Sequence, residues 1–486
     1  MSDNRVEFRA FDHVPDTLAA FEQEFAQSPA RFLLESSVVI PGFSRFTFMG
    51  DSQGRWGEVL RYKQESSSVE IQRLEGTQHE RAEDFLGWLG ERMRAQHTPC
   101  PDALPFDFNL GYVGVLGYEL KVATLGDPAW SSPAPDACFM FATRMLVIDH
   151  QENRSYLLHL LRDDHDTPVA RAWLDQACER LQSLPAAQPL ARRPRRMSLD
   201  QVEHWIRAHA KARHEKPAYI EKILEAQRQI VDGETYEVCL TNLVELPFEH
   251  SAYALYRIMR ELSPAPHAAY YAIPGFEMAS SSPERFLKVD RQGEVEAKPI
   301  KGTRPRSDDA REDQRQLDDL RQDEKDLAEN LMIVDLLRND LGRVCQIGSV
   351  KVPGLFVVES YSHAHQLVST IQGQLKPGMQ ALDCIKASFP GGSMTGAPKK
   401  RTMQIIGELE QGARGAYSGS LGWIGLGGAC DLSILIRSVA VHDALARFGV
   451  GGAITALSDP ESEYVETVVK ASGVVEAIAL LEEVSA

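Results

Sequence analysis

Apolar and polar positions along this chain repeat with two periods, and the switch from one to the other marks its elements. Over residues 10–30, Leu18, Phe21 and Phe25 recur at helical spacing, which predicts an amphipathic helix. Residues 31–40 and 41–50 read as two strands around a Pro41-Gly42 turn. Between those strands Glu35 and Arg45 are expected to form a partly buried ion pair. Weak alternation over 56–75 predicts edge strands, and 82–95 predicts a helix. The glycine- and aromatic-rich run 111–119 reads as close-packed strand and turn, because no G-x-x-x-x-G-K phosphate loop follows. Residues 139–149 and 155–161 predict a hairpin, and 168–183 a helix. The Pro-, Ala- and Arg-rich stretch 184–197 reads as a solvated linker. This divides the chain into an N-terminal region 1–183, a linker 184–200 and a region 201–486.

Beyond the linker the pattern predicts a helix over 217–232 that stops at Gly233. It then predicts a buried strand over 235–246, a helix over 251–262, and strands over 267–273 and 285–289. A long helix spans 323–341, with Leu327, Leu331, Val334, Leu337 and Leu341 on one face. A shorter helix covers 402–410, after the glycine-rich loop 389–401. The run 433–441 reads as one buried strand, glycines at 449–452 expose backbone, and an acidic helix start follows at Pro460.

Composition narrows the function. The 486 residues are 43% hydrophobic and 25% charged, an ordinary globular balance with length for a large core. A net charge of -17 with no long basic stripe excludes nucleic acid as a main partner. It leaves room for a small anion, since a local cationic pocket can focus field lines in an acidic protein. Seven scattered cysteines, none in C-x-x-C, point to reduced thiols and a cytoplasmic setting rather than to a zinc site. The N-terminus lacks an apolar signal core, and no window reaches the ~18–20 apolar residues of a membrane span.

Three groups of residues carry candidate chemistry. The first is the run Lys298-Pro299-Ile300-Lys301-Gly302-Thr303-Arg304-Pro305-Arg306. Lys301 is either a strut paired with an acid or, stripped of its proton, a nucleophile. A free lysine amine has a pKa near ~10.4, and nearby positive charge from Lys298, Arg304 and Arg306 would lower it. The second group is acidic. Asp326 and Glu329 lie three apart on one helix, and Glu463 and Glu466 repeat that spacing on another. Either pair is also what a helix N-terminus attracts. Facing each other, the two pairs would make an all-oxygen site suited to Mg²⁺. The third group is Arg437, a lone charge in the apolar run Leu435-Ile436-Arg437-Ser438-Val439, which must meet a protein acid or an anionic ligand.

These runs occur together in one family. Ser282-Pro283-Glu284-Arg285-Phe286, the Lys301 loop, Glu329-Asn330-Leu331-Met332-Ile333-Val334-Asp335, Gly391-Gly392-Ser393-Met394-Thr395-Gly396 and Gly451-Gly452-Ala453 appear in this order. Together they resemble the chorismate-utilising enzymes of the anthranilate synthase and aminodeoxychorismate synthase component I type, over nearly the whole chain. The resemblance implies an α+β fold, an α/β sandwich of two large packed, mostly antiparallel sheets with helices outside, in which the N- and C-terminal regions interleave.

The resemblance also implies residue roles. Lys301 stands where anthranilate and isochorismate synthases carry alanine, and in the branch that forms 4-amino-4-deoxychorismate that lysine is the covalent nucleophile. Mg²⁺ would be held by Glu329 and Glu466, with Asp326 and Glu463 around its waters. Glu284 would be the proton donor. Chorismate would meet Gly302, Thr303, Tyr417, Arg437, Gly451 and Gly452. Gln366 replaces a histidine associated with pyruvate elimination, a step this branch does not take, and His363 and His365 read as structural. A tryptophan pocket is carried over onto Glu35, Ser36, Phe43, Ser44, Arg45, Phe46, Pro266, His267 and Ala268, for a structural or regulatory L-tryptophan. Its third segment departs from the proline-tyrosine-methionine of anthranilate synthases, which argues against tight feedback binding. No glutaminase domain is recognised, so ammonia is expected from solution or from a separate glutamine amidotransferase subunit. The alternatives are an anthranilate or isochorismate synthase, against which Lys301 and Gln366 argue, and a non-catalytic paralogue that binds tryptophan or a partner.

Overall fold

In a computed structural model, which describes residues 4–40, 42–124, 126–127, 130–307, 309–360 and 364–485, the strands gather into sheets of eleven and twelve. The first runs from an edge at Arg5–Phe11 through Phe46–Asp51, Arg31–Glu35 and His267–Ile273. It continues through Ser438–His442 and Leu445–Ile454 to Val238–Pro247 and the short edge Lys211–Ala212. The second begins at Ile300–Pro305 and passes Ala364–Gln374, Cys430–Ile434, Ser420–Gly425, Gly111–Leu116 and Ala137–Ala142. It ends at the wholly exposed, polar edge Gly76–Arg81. Charged and polar side chains on such an edge discourage pairing with another chain. Neighbouring strands pair antiparallel, as in Ala269↔Leu34 and Leu421↔Val115.

Side chains of both sheets share one core, where Phe108 stacks on Trp423 with ring centroids 4.7 Å apart and Phe48 packs edge-on to Phe106 and Phe108. The outer face of the first sheet buries Leu33, Met49 and Tyr270 against helix residues such as Leu174, Tyr256 and Val475. Strands covered on both faces lose the period-two alternation, and this explains the unbroken apolar runs at Gly111–Leu116 and Ala137–Ala142. Both sheets take strands from both sides of residues 184–200. Among the described residues no helix is long and apolar enough to cross a membrane.

Several expected elements are redrawn. The first helix is only Thr17–Glu24, with the Asp16 carboxylate accepting from Ala19 N–H at its start. Residues expected before it form the edge strand Arg5–Phe11, which pairs with Arg154–Leu161. The run 139–149 breaks at Thr143, with Ala137–Ala142 in one sheet and Arg144–Asp149 in the other. The linker is no loose loop: Arg195 donates to the Ser472 and Ser263 hydroxyls at 2.9 Å, and Arg196 N–H donates to Glu476 at 2.6 Å. In the helix Glu324–Val344, Leu331 is 50% exposed while Glu329, Asn330 and Ile333 turn inward. Pro41, part of the expected turn, lies outside the described residues.

The run 433–441 is likewise two strands, Cys430–Ile434 in one sheet and Ser438–His442 in the other. Arg437 sits at the crossing with φ of 50°, a left-handed conformation uncommon for a residue with a side chain and one that recurs at functional sites.

Candidate active site

The crossing at Arg437, the strands Ile300–Pro305 and Leu445–Ile454, and the first turns of the helices Glu324–Val344 and Pro460–Ser485 enclose a cavity of about 560 Å³. Two glycines make the close approaches possible. A Cβ at Gly302, whose φ is +79°, would lie 2.7 Å from the Asp326 carboxyl carbon, so glycine there lets the helix start press on the strand. A Cβ at Gly449 would lie 2.1 Å from the Tyr417 ring, so glycine there lets the ring lie flat against the strand.

Every position expected at the substrate site lines this cavity: Glu284, Lys301 with Gly302 and Thr303, Tyr417, Arg437, and Gly451 with Gly452. Of the four acids, Asp326, Glu329 and Glu466 also line it. Glu463 stands just behind, 3.1 Å from where a Cβ on Gly452 would be. Gln366 lines the cavity too, opposite Thr303 in the strand register.

The surroundings of Lys301 differ from expectation. Lys298 pairs with Glu359, Arg304 with Asp319, Asp323 and Asp326, and Arg306 with Asp313, so these cations are neutralised by other acids. Instead the Lys301 ammonium lies 3.5 Å from Glu237 and 3.9 Å from Glu329. Burial pulls the amine down, but the two carboxylates outweigh it and hold Lys301 above the ordinary lysine range. In the free protein Lys301 is therefore an ammonium. Glu237 is fully buried, and among the described residues its Oε2 has no hydrogen-bond partner. Its signal in the sequence is a charge within the buried run 235–246, the same kind that marks Arg437.

Burial, against the pull of Lys301 and a hydrogen bond from Ser393, pushes the Glu284 carboxyl up to about 7. Glu284 can therefore carry a proton near neutrality. Burial also pushes Glu329 up to about 7, opposed by Lys301 and aided by Glu237. Each remaining acid has its own cation. Lys325 reaches Glu463 at 2.8 Å, Lys470 reaches Glu466 at 2.7 Å, and Arg304 meets Asp326 at 3.1 Å. The spacings Lys325–Glu329 and Glu466–Lys470 were visible in the sequence as i,i+4 pairs.

Among the described residues no three His, Cys or acidic groups are gathered closely enough to hold a cation unaided. Mg²⁺ does not need such a cage, since it takes one or two carboxylates and fills its shell with water and ligand oxygens. Among the described residues Glu329 Oε1 and Glu463 Oε2 are buried without a hydrogen-bond partner, so the donor set fits that hard cation.

The opposite wall suits an anion. Arg437 is exposed and opens onto this cavity and onto a smaller one beside Arg195 and Lys470, and among the described residues its guanidinium meets no acceptor. Burial and the neighbouring Arg195 charge lower its pKa, as for a cation that lacks a counter-ion. Burial raises the Tyr417 hydroxyl, which stays a neutral donor. His365 is buried between Ser360 and Asp313, away from this cavity, and His363 lies outside the described residues.

A second cavity, of about 300 Å³, is lined by all nine positions named for the tryptophan pocket. The expected Glu35–Arg45 pair does not form. Glu35 binds Arg260 and the Tyr256 hydroxyl, and Arg45 binds Asp149 at 2.8 Å. Side chains reaching across from other elements outcompete the local pairing. Burial brings His267 down to about 4, and among the described residues its neutral ring keeps a buried Nε2 without a partner.

Residues 46–476 match the profile of a family described as chorismate binding enzyme. An aminodeoxychorismate synthase of Streptomyces pristinaespiralis is 46% identical over 473 residues, 97% of this chain and 65% of that protein. The chain thus spans less than two thirds of that relative's length. An anthranilate synthase component 1 of Geobacillus stearothermophilus is 34% identical, across 94% of this chain and 90% of that protein. The crystal structure of anthranilate synthase component I from Streptococcus pneumoniae TIGR4 superposes with a TM-score of 0.71 at 26% identity, covering 90% of this chain and 93% of that one.

Proposed function

Because this chain belongs to the family of chorismate binding enzymes, we propose that it is the component of an aminodeoxychorismate synthase that converts chorismate and ammonia into 4-amino-4-deoxychorismate, on the route to 4-aminobenzoate and folate. The observation that carries this reading is the Lys301 amine, held in the cavity within reach of Glu237 and Glu329 and beside the protonatable Glu284. Relatives that bear the aminodeoxychorismate synthase name at 46% and 44% identity support it.

The residues divide the work as follows. Arg437, Tyr417 and the backbone N–H groups near Gly451 and Gly452 bind the carboxylates of chorismate. Lys301 passes its proton to Glu237, and the freed amine bonds to ring carbon 2. The ring double bonds shift, and the 4-hydroxyl leaves as water with the proton of Glu284. Ammonia then bonds to carbon 4, the bond from Lys301 to carbon 2 breaks, and the double bonds return. Glu329 and Glu466 would hold Mg²⁺, with Asp326 and Glu463 around its waters. When bound, that ion draws electron density from the ring through its carboxylate. Ammonia comes from a separate glutamine amidotransferase subunit. The seven cysteines, all unpaired and all but Cys100 buried, fit a cytoplasmic reaction, which fractionation of the source cells checks.

The direct test is incubation with chorismate, Mg²⁺ and ammonium, followed by chromatography. The expected product is 4-amino-4-deoxychorismate, and anthranilate with pyruvate as the main product would reject the reading.

The pH dependence has a definite sign. A carboxyl raised to about 7 keeps its proton below that pH and loses it above. Transfer from Lys301 to Glu237 is internal and contributes no limb of its own. With Mg²⁺ saturating, so that Glu329 stays ionised, adduct formation in ammonia-free buffer should therefore slow as pH rises through about 7, and Glu284→Gln should remove that limb. A rate that climbs across this range contradicts Glu284 as the donor.

We also propose that the second cavity takes L-tryptophan, with the unpartnered His267 Nε2 available to the ligand. Calorimetry with L-tryptophan should show one site per chain, weakened by His267→Phe. Absence of heat, with no tryptophan released on denaturation, counts against it.

A further inference from the structure

Lys325 stands where the two acidic helix starts meet. Its side chain is 38% exposed and rises from the first turn of Glu324–Val344, the positive end of the helix dipole, where a cation is disfavoured. It is nevertheless held there, 2.8 Å from Glu463 Oε1 and 3.8 Å from Glu329 Oε1. Glu463 and Glu329 are only 3% and 7% exposed, and among the described residues each keeps one oxygen without a hydrogen-bond partner. The other two lysines nearby are tied elsewhere: Lys470 also donates to the Gly451 carbonyl at 2.8 Å, and Lys301 lies against Glu237. Lys325 has no hydrogen-bond partner besides Glu463 among the described residues.

We infer that Lys325 is a displaceable internal cation, which neutralises Glu329 and Glu463 in the free protein and must swing away before a divalent ion can bind between the two helices. The inference rests on the magnesium site proposed above. Its energetic content is competition. An ion that binds only when the ammonium has left sees its affinity reduced by the fraction of molecules in which the acids are free. Lys325 thus sets the metal affinity from the wall of the substrate cavity. It also keeps two buried carboxylates from facing each other uncompensated.

The test is calorimetric titration of Mg²⁺ into the whole chain without chorismate, for the wild type, Lys325→Met, Lys325→Gln, Lys325→Arg and Glu329→Gln. Removing the charge should tighten Mg²⁺ binding about tenfold. Both neutral variants should melt lower than the wild type without metal and regain that loss when Mg²⁺ is added. Lys325→Arg should bind no tighter than the wild type, and Glu329→Gln should bind more weakly. If the wild type binds Mg²⁺ and both neutral variants bind it equally or more weakly, the role of Lys325 is overturned while the metal site stands. If no protein in the set binds Mg²⁺, both fall.

Discussion

Lys301→Ala should leave no covalent adduct with chorismate and should lower turnover by about 10³-fold or more, since the other lysines of the cavity wall, Lys325 and Lys470, are paired with Glu463 and Glu466. The substitution has a second effect that must be separated from the first. Lys301 is the cation beside the fully buried Glu237, and removing one partner of a buried pair costs about 3–5 kcal/mol. Alanine alone would thus lose stability as well as activity. Two further variants part the effects. Lys301→Arg keeps a cation that does not give up its proton, so the fold should hold while the adduct is still absent. Lys301→Met combined with Glu237→Gln removes both charges and should restore the melting temperature without restoring turnover. The measurement is intact-protein mass after acid quenching with chorismate and Mg²⁺ present. The wild type should gain one chorismate less one water. A wild type that never gains this mass, or an arginine variant that keeps a tenth of the turnover, removes Lys301 from the chemistry.

Arg437→Gln should raise the KM for chorismate roughly ten- to a hundredfold, the worth of a hydrogen bond to a charged group. It should leave the melting temperature unchanged or slightly raised. The second half of this expectation is the more diagnostic. A charge that served the fold would have an acid against it, as Arg285 has Asp431 and Arg414 has Glu410. Arg437 has none among the described residues, and Arg195 adds repulsion. Such a cation costs stability until an anion arrives. A marked fall in melting temperature with unchanged KM would make Arg437 structural.

How much of this was legible depended on the distance over which the deciding interaction acts. Runs with their own period, such as 251–262 or 267–273, became the elements expected, because burial on one side is written locally. The positions of the motif residues around one cavity followed from the family likeness. What the chain alone could not settle was partnership. Lys298, Arg304 and Arg306 are neighbours of Lys301 in sequence, yet each turns to an acid of its own, and Glu237, 64 residues away, takes the amine. The same held for Glu35 and Arg45, each claimed by a side chain from another element. The stretch 433–441 read as one strand because both halves are buried, and apolarity does not say which sheet a residue joins. Leu331 was placed on the wrong face because the inward stripe of its helix carries Glu329 and Asn330, polar residues facing the cavity and the strand Ala364–Gln374.

The interleaving of the sheets bears on how the chain matures. Gly111–Leu116 pairs with Ser420–Gly425, and Arg31–Glu35 pairs with His267–Ile273. During synthesis the first strands to emerge therefore wait, with hydrogen-bonding edges unfilled, for partners made hundreds of residues later. Closing such long loops is slow, and open edges invite pairing with other nascent chains. A nick within residues 184–197 of the finished protein should leave two fragments that hold together, whereas neither fragment made alone has the strands to complete either sheet.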